Sequence, residues 1–155
     1  AAGAPLGYCM AAANEAGAEL TPGDFVRGSS DLVRGIAPSP LLVGRTGESL
    51  VDESALVKDG TLLLGGTVIG RGTEVGAGCR LDDVVVFDGV TIEPGAVLED
   101  SIIGHGVRIG ANARIKNCVI GEGAHIGARC ELQDGLRVWP GVKIPDNGIR
   151  FSSDA

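Results

Sequence analysis

The sequence predicts an all-β fold, a prism of short parallel strands preceded by one short helix. Glycine supplies 26 of the 155 residues, or 17%, against roughly 7% in average proteins. Aromatic residues make up only 3%, so the core must consist of small aliphatic side chains. A branched aliphatic residue also recurs at almost every sixth position from Val51 onward. These three observations favour short segments joined by sharp corners and argue against a helical bundle.

The six-residue repeat keeps the same residue type throughout its length. Its 17 register positions are all Val, Ile or Leu: Val51, Val57, Leu63, Ile69, Val75, Leu81, Val86, Ile92, Leu98, Ile103, Ile109, Ile115, Ile120, Ile126, Leu132, Val138 and Ile144. We interpret each unit as a short strand whose first residue points inward. Three units then close one triangular coil, and the coils stack at strand spacing.

The predicted coils contain 17 or 18 residues. The first coil, from Val51 to Ile69, has 18, and the next three have 17. In each of these three coils the third unit is one residue short, and it begins at Leu81, Leu98 or Ile115. One corner of the prism is therefore expected to be tighter than the other two.

Two further positions of the unit have a physical interpretation. The fourth suits a corner that needs a positive φ or little side-chain bulk, and it holds Gly60, Gly66, Gly72, Gly78, Gly89, Gly95, Gly106, Asn112, Gly123, Gly135, Gly141 and Asn147. The fifth is mostly small and is expected to face inward, where the prism narrows. It holds Ala55, Thr61, Thr67, Thr73, Cys79, Val90, Ala96, Val107, Ala113, Ala124 and Cys130.

A short helix is predicted to begin after Thr21 and to stop at Gly35. Thr21 suits the N-cap, Pro22 the first helical position and Asp24 the first turn. Its apolar face consists of Phe25, Leu32 and Val33. The helix is too short to be stable alone. We therefore expect residues 21–40 to pack on the prism and to cover one of its ends.

The chain divides into three predicted parts. Residues 1–20 form an unassigned N-terminal segment, residues 21–49 a junction helix and linker, and residues 50–155 the β-helix domain. The net charge is −7 and no basic run occurs, which argues against a nucleic-acid binder. No apolar stretch approaches about 18 residues, and the N-terminus lacks a positively charged start. We expect a cytoplasmic protein without contact to a membrane.

Few side chains could carry chemistry. The four cysteines have no CxxC spacing, and we expect free thiols and no metal site. His105 lies on the outer surface of its unit, where it could be a general base or a solvated residue; His125 is expected at the surface, one coil from Arg108. Trp139 is expected to plug the last coil, or else to meet a partner subunit.

The hexapeptide pattern over residues 51–148 resembles that of left-handed parallel β-helices. Periodicity alone does not fix the handedness, because ordinary crossovers are right-handed. Residues 21–40 (TPGDFVRGSSDLVRGIAPSP) resemble the junction segment of nucleotide-sugar pyrophosphorylases. Residues 137–154 (RVWPGVKIPDNGIRFSSD), together with 67–72 (TVIGRG) and 101–104 (SIIG), are similar to the actinobacterial mannose-1-phosphate guanylyltransferases.

This resemblance implies that the parent enzyme makes GDP-mannose and pyrophosphate from GTP and mannose 1-phosphate, with Mg²⁺ as cofactor. The family's Gly-rich phosphate loop does not occur in these residues. Its Asp-x-Gly-Thr-Pro junction reads Ala18-Glu19-Leu20-Thr21-Pro22 here, so no catalytic, cofactor-binding or metal-binding residue is assigned.

We therefore expect an assembly and positioning domain, inactive alone, that contacts a nucleotidyltransferase domain and forms homo-oligomers through the faces or ends of its β-helix. The alternatives are a CoA-dependent acyltransferase of the hexapeptide class and a structural β-helix subunit of a larger complex.

Overall fold

A computed structural model describes residues 21–37, 44 and 47–150. In this part of the chain one helix, α1 (Pro22–Val33), precedes short strands in three parallel sheets. Sheet A contains β1 (Ser49–Val51), β4 (Thr67–Ile69), β7 (Val85–Val86), β10 (Ile102–Ile103), β13 (Val119–Ile120) and β16 (Arg137–Val138). Sheet B contains β2 (Leu56–Val57), β5 (Glu74–Val75), β8 (Thr91–Ile92), β11 (Arg108–Ile109), β14 (His125–Ile126) and β17 (Lys143–Ile144). Sheet C contains β3 (Leu62–Leu64), β6 (Arg80–Asp82), β9 (Val97–Glu99), β12 (Arg114–Lys116) and β15 (Glu131–Leu132).

Each strand pairs with the strand one coil later, so the chain winds as a solenoid. In sheet A, for example, Ile69 pairs with Val86, and Val86 pairs with Ile103. This confirms the predicted parallel β-helix of stacked three-sided coils with a short helix before it. The solenoid is consistent with the left-handed winding that the resemblance implies.

The core is a column of the predicted register residues. From Ile69 to Leu132 every register position is at most 1% exposed, and these side chains form one continuous hydrophobic cluster. The small fifth-position residues also point inward; Thr67, Ala96 and Cys130, for example, are completely buried. Side chains of one coil therefore pack on those of the next, and the sequence period defines the core directly.

The corners use two different devices. All of the predicted Gly and Asn corner residues have a positive φ, between 54° and 84°. The second-position glycines are required for another reason, the close approach of neighbouring coils. A Cβ on Gly76 would lie 2.6 Å from the backbone N of Pro94, and one on Gly121 would lie 2.5 Å from that of Pro140.

The shortened corner lies between sheets C and A. In the 17-residue coils a single left-handed residue makes this corner: Asp83 (φ 52°), Asp100 (φ 46°) or Asn117 (φ 51°). The 18-residue coils use two consecutive ones instead, 65–66 and 134–135. Asp and Asn tolerate the left-handed region better than other residues with side chains. A corner made by one left-handed residue needs one residue fewer, and an Asp or Asn supplies that conformation.

Helix α1 is fixed at its N-terminus by a capping box. The side chain of Thr21 accepts a hydrogen bond from the Asp24 amide (3.2 Å), and the Asp24 carboxylate accepts one from the Thr21 amide (3.0 Å). The helix lies against the flank of the prism, next to β4. The expectation that residues 21–40 cover an end of the prism is therefore wrong for residues 21–37; residues 38–40 lie outside the described part.

Candidate functional site

Helix α1 packs on sheet A because the outer side of that sheet is apolar. The outward residue of β4 is Val68, and its partners on the next strands are Val85, Ile102 and Val119. Val85 is only 7% exposed although it faces away from the core. The helix in turn buries Val26, Leu32 and Val33. Sheet A thus has an apolar outer face, and α1 packs on it next to β4.

Phe25 and Phe87 form the aromatic part of this contact. Their rings stack with centroids 6.4 Å apart, and the Phe87 ring also lies 4.9 Å from the ring of His105. Phe87 occupies the second position of its unit, where six of the 17 units have glycine. Its side chain therefore reaches the helix without disturbing the core.

The helix backbone comes close to the prism at Gly66. A Cβ there would lie 2.7 Å from the Cα of Ser30, so no side chain fits. The Ser30 hydroxyl donates a hydrogen bond of 2.5 Å to the carbonyl oxygen of Gly65. Backbone contact and hydrogen bond together fix the position of α1 along the prism.

Asp83 adds a carboxyl group to this junction. Burial raises the pKa of Asp83, and the nearby carboxylates of Asp100 and Asp82 act in the same direction. The polar side chain of Ser30 and the positive charge of Arg34 act against this rise. The acidic corner therefore faces a helix that carries an arginine.

His105 is exposed, and one of its ring nitrogens is engaged by the backbone. Its Nδ1 accepts a hydrogen bond from the backbone N–H of Asp88 (3.3 Å). In the neutral imidazole the other nitrogen, Nε2, then carries the proton and acts as a donor. A base would need an unprotonated nitrogen facing a substrate, so the solvated surface role predicted for His105 is favoured.

His125 lies on the outer face of sheet B, as predicted. Its strand pairs with β11, and His125 is directly opposite Arg108. The next strand places Lys143 on its other side. The structure therefore brings these three side chains into one row on the outer face of sheet B.

Trp139 does not plug the last coil. It is 78% exposed, whereas the core beside it is closed by Val138, which is 8% exposed. The plug prediction is wrong because Trp139 follows the inward Val138 and therefore stands on the corner, outside the core. The other prediction for Trp139, contact with a partner subunit, remains a prediction.

The described cysteines are free thiols: Cys79, Cys118 and Cys130. Burial raises the pKa of Cys118 to about 11 and also raises the pKa of Cys79. Cys9 and Glu19 lie outside the described residues. Within residues 21–37, 44 and 47–150, no group of three His, Cys, Asp or Glu side chains could hold a metal ion. No helix in this part of the chain is long and apolar enough to cross a membrane.

The solved structures similar to this chain include two mutants of one enzyme. The enzyme is GDP-perosamine N-acetyltransferase from Caulobacter crescentus, and both mutants are in complex with CoA and GDP-perosamine. Each has a TM-score of 0.58 and 18% sequence identity, over 70% of this chain and 55% of that chain. At this identity the likeness shows the fold alone.

The sequence comparisons are more specific. Mannose-1-phosphate guanylyltransferase from Mycobacterium tuberculosis (strain ATCC 25618 / H37Rv) is 66% identical over 134 residues, which are 86% of this chain. The chain spans 37% of the length of that relative. The family model of the GMPPB C-terminal domain matches residues 45–149, the part of the chain that contains the three sheets. The chain therefore belongs to the family of GMPPB C-terminal domains.

Proposed function

We propose that this chain is the C-terminal β-helix domain of a mannose-1-phosphate guanylyltransferase. The whole enzyme would convert GTP and mannose 1-phosphate into GDP-mannose and pyrophosphate. The identity of 66% with the mycobacterial enzyme supports this assignment. A reaction that consumes GTP also fits the cytoplasm, where we place the protein.

The role that we propose for the domain is assembly and positioning. The observation that carries it is the fixed seat of α1 at Gly66, where the helix backbone and the prism backbone are in contact. The residues before Thr21 would be joined to the capped end of a helix whose backbone is seated against the prism at Gly66. A catalytic portion joined there would be held in one orientation.

The proposed reaction uses Mg²⁺, which neutralises phosphate charge during the in-line attack. The described residues do not fit such a site, because they contain no group of three suitable side chains. We therefore assign no metal-dependent step to them, and we propose that the ion binds in the portion of the relative that this chain does not span.

Self-association is the second half of the proposed role. The outer sides of sheets B and C carry exposed residues, such as Arg108 and Arg114, and the last coil exposes Trp139. Homo-oligomers formed through such surfaces would bring several catalytic portions together.

The acyltransferase alternative has less support. The acetyltransferases among the solved structures share the fold at 18% identity, and the hydrogen bond to His105 Nδ1 opposes a general-base role. A purely structural subunit would show the same fold and would differ only in having no catalytic portion.

One assay separates the three functions. The chain alone, and a chimera in which it replaces the matching part of the M. tuberculosis enzyme, are incubated with GTP, mannose 1-phosphate and Mg²⁺. We expect pyrophosphate release from the chimera and none from the chain alone. Turnover by the chain alone, or an inactive chimera whose parent enzyme is active, would contradict the proposal. Acetyl transfer from acetyl-CoA that is lost in His105→Ala would favour the acyltransferase.

A further inference from the structure

A cleft lies between α1 and the corner that joins sheets C and A. Its volume is about 460 Å³, within the roughly 300–1,000 Å³ of small-molecule sites. The helix runs along this corner from the third coil toward the first, because Phe25 stacks on Phe87 and Ser30 donates a hydrogen bond to Gly65. The charged side chains on the wall formed by the helix are Arg27, Asp31 and Arg34, and those on the wall formed by the prism are Asp83, Asp100 and Lys116.

Three carboxylates line this cleft, and none of them forms an ion pair within the described ranges. Asp83 and Asp100 hold the same corner in successive coils, about 4.8 Å apart along the prism, and Asp31 lies on the facing helix. These carboxylates are not part of any group of side chains in the described ranges that could hold a metal ion. An ionised carboxylate only accepts hydrogen bonds, so the ligand groups that suit them are donors such as neighbouring hydroxyls.

Two cations face each other across the same cleft. Arg27 lies on the helix, 3.8 Å from Asp24, and Lys116 lies on the prism, 3.2 Å from Glu99. The Arg27 contact is longer than a hydrogen bond, and both basic side chains are exposed. A guanidinium group has five N–H donors and an ammonium group has three, so both keep donors for an anionic group placed between them.

The balance of charge decides which ligand fits. Arg34 brings the number of cations in the cleft to three, equal to the number of carboxylates. A simple cation would meet three positive side chains, and a simple anion would meet three negative ones. A ligand that carries hydroxyl groups at one end and an anionic group at the other can satisfy both sets.

We propose that this cleft binds a sugar phosphate, with the phosphate between Arg27 and Lys116 and the sugar hydroxyls on Asp31, Asp83 and Asp100. Phosphate oxygens accept strong, charge-assisted hydrogen bonds from guanidinium and ammonium groups. The choice of mannose 1-phosphate as the sugar phosphate rests on the function proposed above.

A ligand held by both walls would connect α1 to the prism. This helix is the element to which the catalytic portion would be joined, so the bound sugar phosphate would tighten the seat of that portion. The cleft would thus give the positioning role a ligand that regulates it.

Isothermal titration calorimetry of the chain with mannose 1-phosphate tests the proposal, with mannose and inorganic phosphate as separate probes. We expect one saturable site for mannose 1-phosphate and weaker binding of either half. Lys116→Gln and Asp100→Gly should each weaken this binding by about tenfold or more, because each removes a hydrogen bond to a charged group. Glycine suits the left-handed φ of 46° at position 100.

A matched control and a second measurement complete the test. Arg114→Gln removes a cation from sheet C outside the cleft and should bind mannose 1-phosphate like the wild type. Lys116 and Asp100 are exposed, so their variants should keep the wild-type unfolding midpoint. Mannose 1-phosphate should also slow hydrogen exchange at the α1 amides of the wild type, and it should do so less in Lys116→Gln.

The absence of saturable binding at millimolar mannose 1-phosphate would overturn the proposal. Equal affinity for inorganic phosphate and mannose 1-phosphate would overturn recognition of the sugar, and wild-type affinity in both Lys116→Gln and Asp100→Gly would overturn the cleft as the site. Binding without slower exchange at α1 would overturn the regulatory link. Pyrophosphate release by the chimera tests the guanylyltransferase activity separately, so the two proposals can fail independently.

Discussion

Replacing Gly66 by alanine should loosen α1 from the prism. The added Cβ would lie 2.7 Å from the Cα and Oγ of Ser30 and 2.9 Å from its carbonyl oxygen. Two of these atoms belong to the helix backbone, so a side-chain rotation cannot remove the overlap. The helix itself must move away from β4.

The cost has two parts, and a second glycine separates them. Gly66 has a φ of 84° and Gly72 a φ of 61°, but nothing lies within 4 Å of a Cβ on Gly72. Gly72→Ala should therefore lose only the backbone term, about 1–2 kcal/mol. Gly66→Ala should lose that term and a further overpacking term of about 1–3 kcal/mol. We expect a total of about 2–5 kcal/mol.

Urea unfolding of the two variants measures the difference in free energy directly. Hydrogen exchange should also speed up at the α1 amides in Gly66→Ala, while the amides of sheets B and C keep their protection. Equal destabilisation by the two substitutions, with α1 protected in both, would show that the helix is not held by backbone contact at Gly66.

Three further predictions concern the core, the cap and a thiol. In urea unfolding, Ile109→Ala should lower the stability by about 2–5 kcal/mol because it leaves a cavity. Trp139→Ala should change the stability by less than about 0.5 kcal/mol because its side chain is exposed. Similar losses for the two variants would place Trp139 in the core. Thr21→Ala should cost about 1 kcal/mol through the lost capping box, seen as a lower unfolding midpoint, and an unchanged midpoint would contradict the role of the cap. Burial raises the pKa of Cys118 to about 11, so the stability that its neutral thiol contributes is complete below the unfolded pKa near 9 and is lost as the pH rises from 9 toward 11. When unfolding is measured at increasing pH, Cys118→Ala should therefore lose less stability than the wild type across this window. Parallel curves of stability against pH for the two proteins would contradict this prediction.

The sequence predicts the inward-facing residues of this fold because the stacking of the coils imposes a period on them. Each coil must place a branched aliphatic residue above the one in the coil before, so residues such as Ile109 and Ile126 recur at fixed spacing. The corners were predictable for the same reason where glycine or asparagine occupies the fourth position. The left-handed φ of Arg129 (58°) was not, because arginine carries no sign of it in the sequence.

The outer surface was less predictable because no period constrains it. Helix α1 lies next to β4, whose outward residue Val68 precedes a register residue, as Val85 and Ile102 do in the corresponding units of the next two coils. The recurrence of an apolar residue before the register position in every third unit is visible in the sequence. It identifies the covered face once the units are assigned to the three sheets. The exposed position of Trp139 depends on the direction in which a corner turns, and neighbouring residue types do not determine it.

The most direct test of a positioning role measures the initial rate of pyrophosphate release by the chimera with the M. tuberculosis catalytic portion. Gly66→Ala and Gly72→Ala are compared with the wild type at a temperature at which all three are folded. We expect Gly66→Ala to lower the rate and Gly72→Ala to leave it unchanged, because only the former moves the helix that joins the two portions. Equal rates for all three proteins would contradict it.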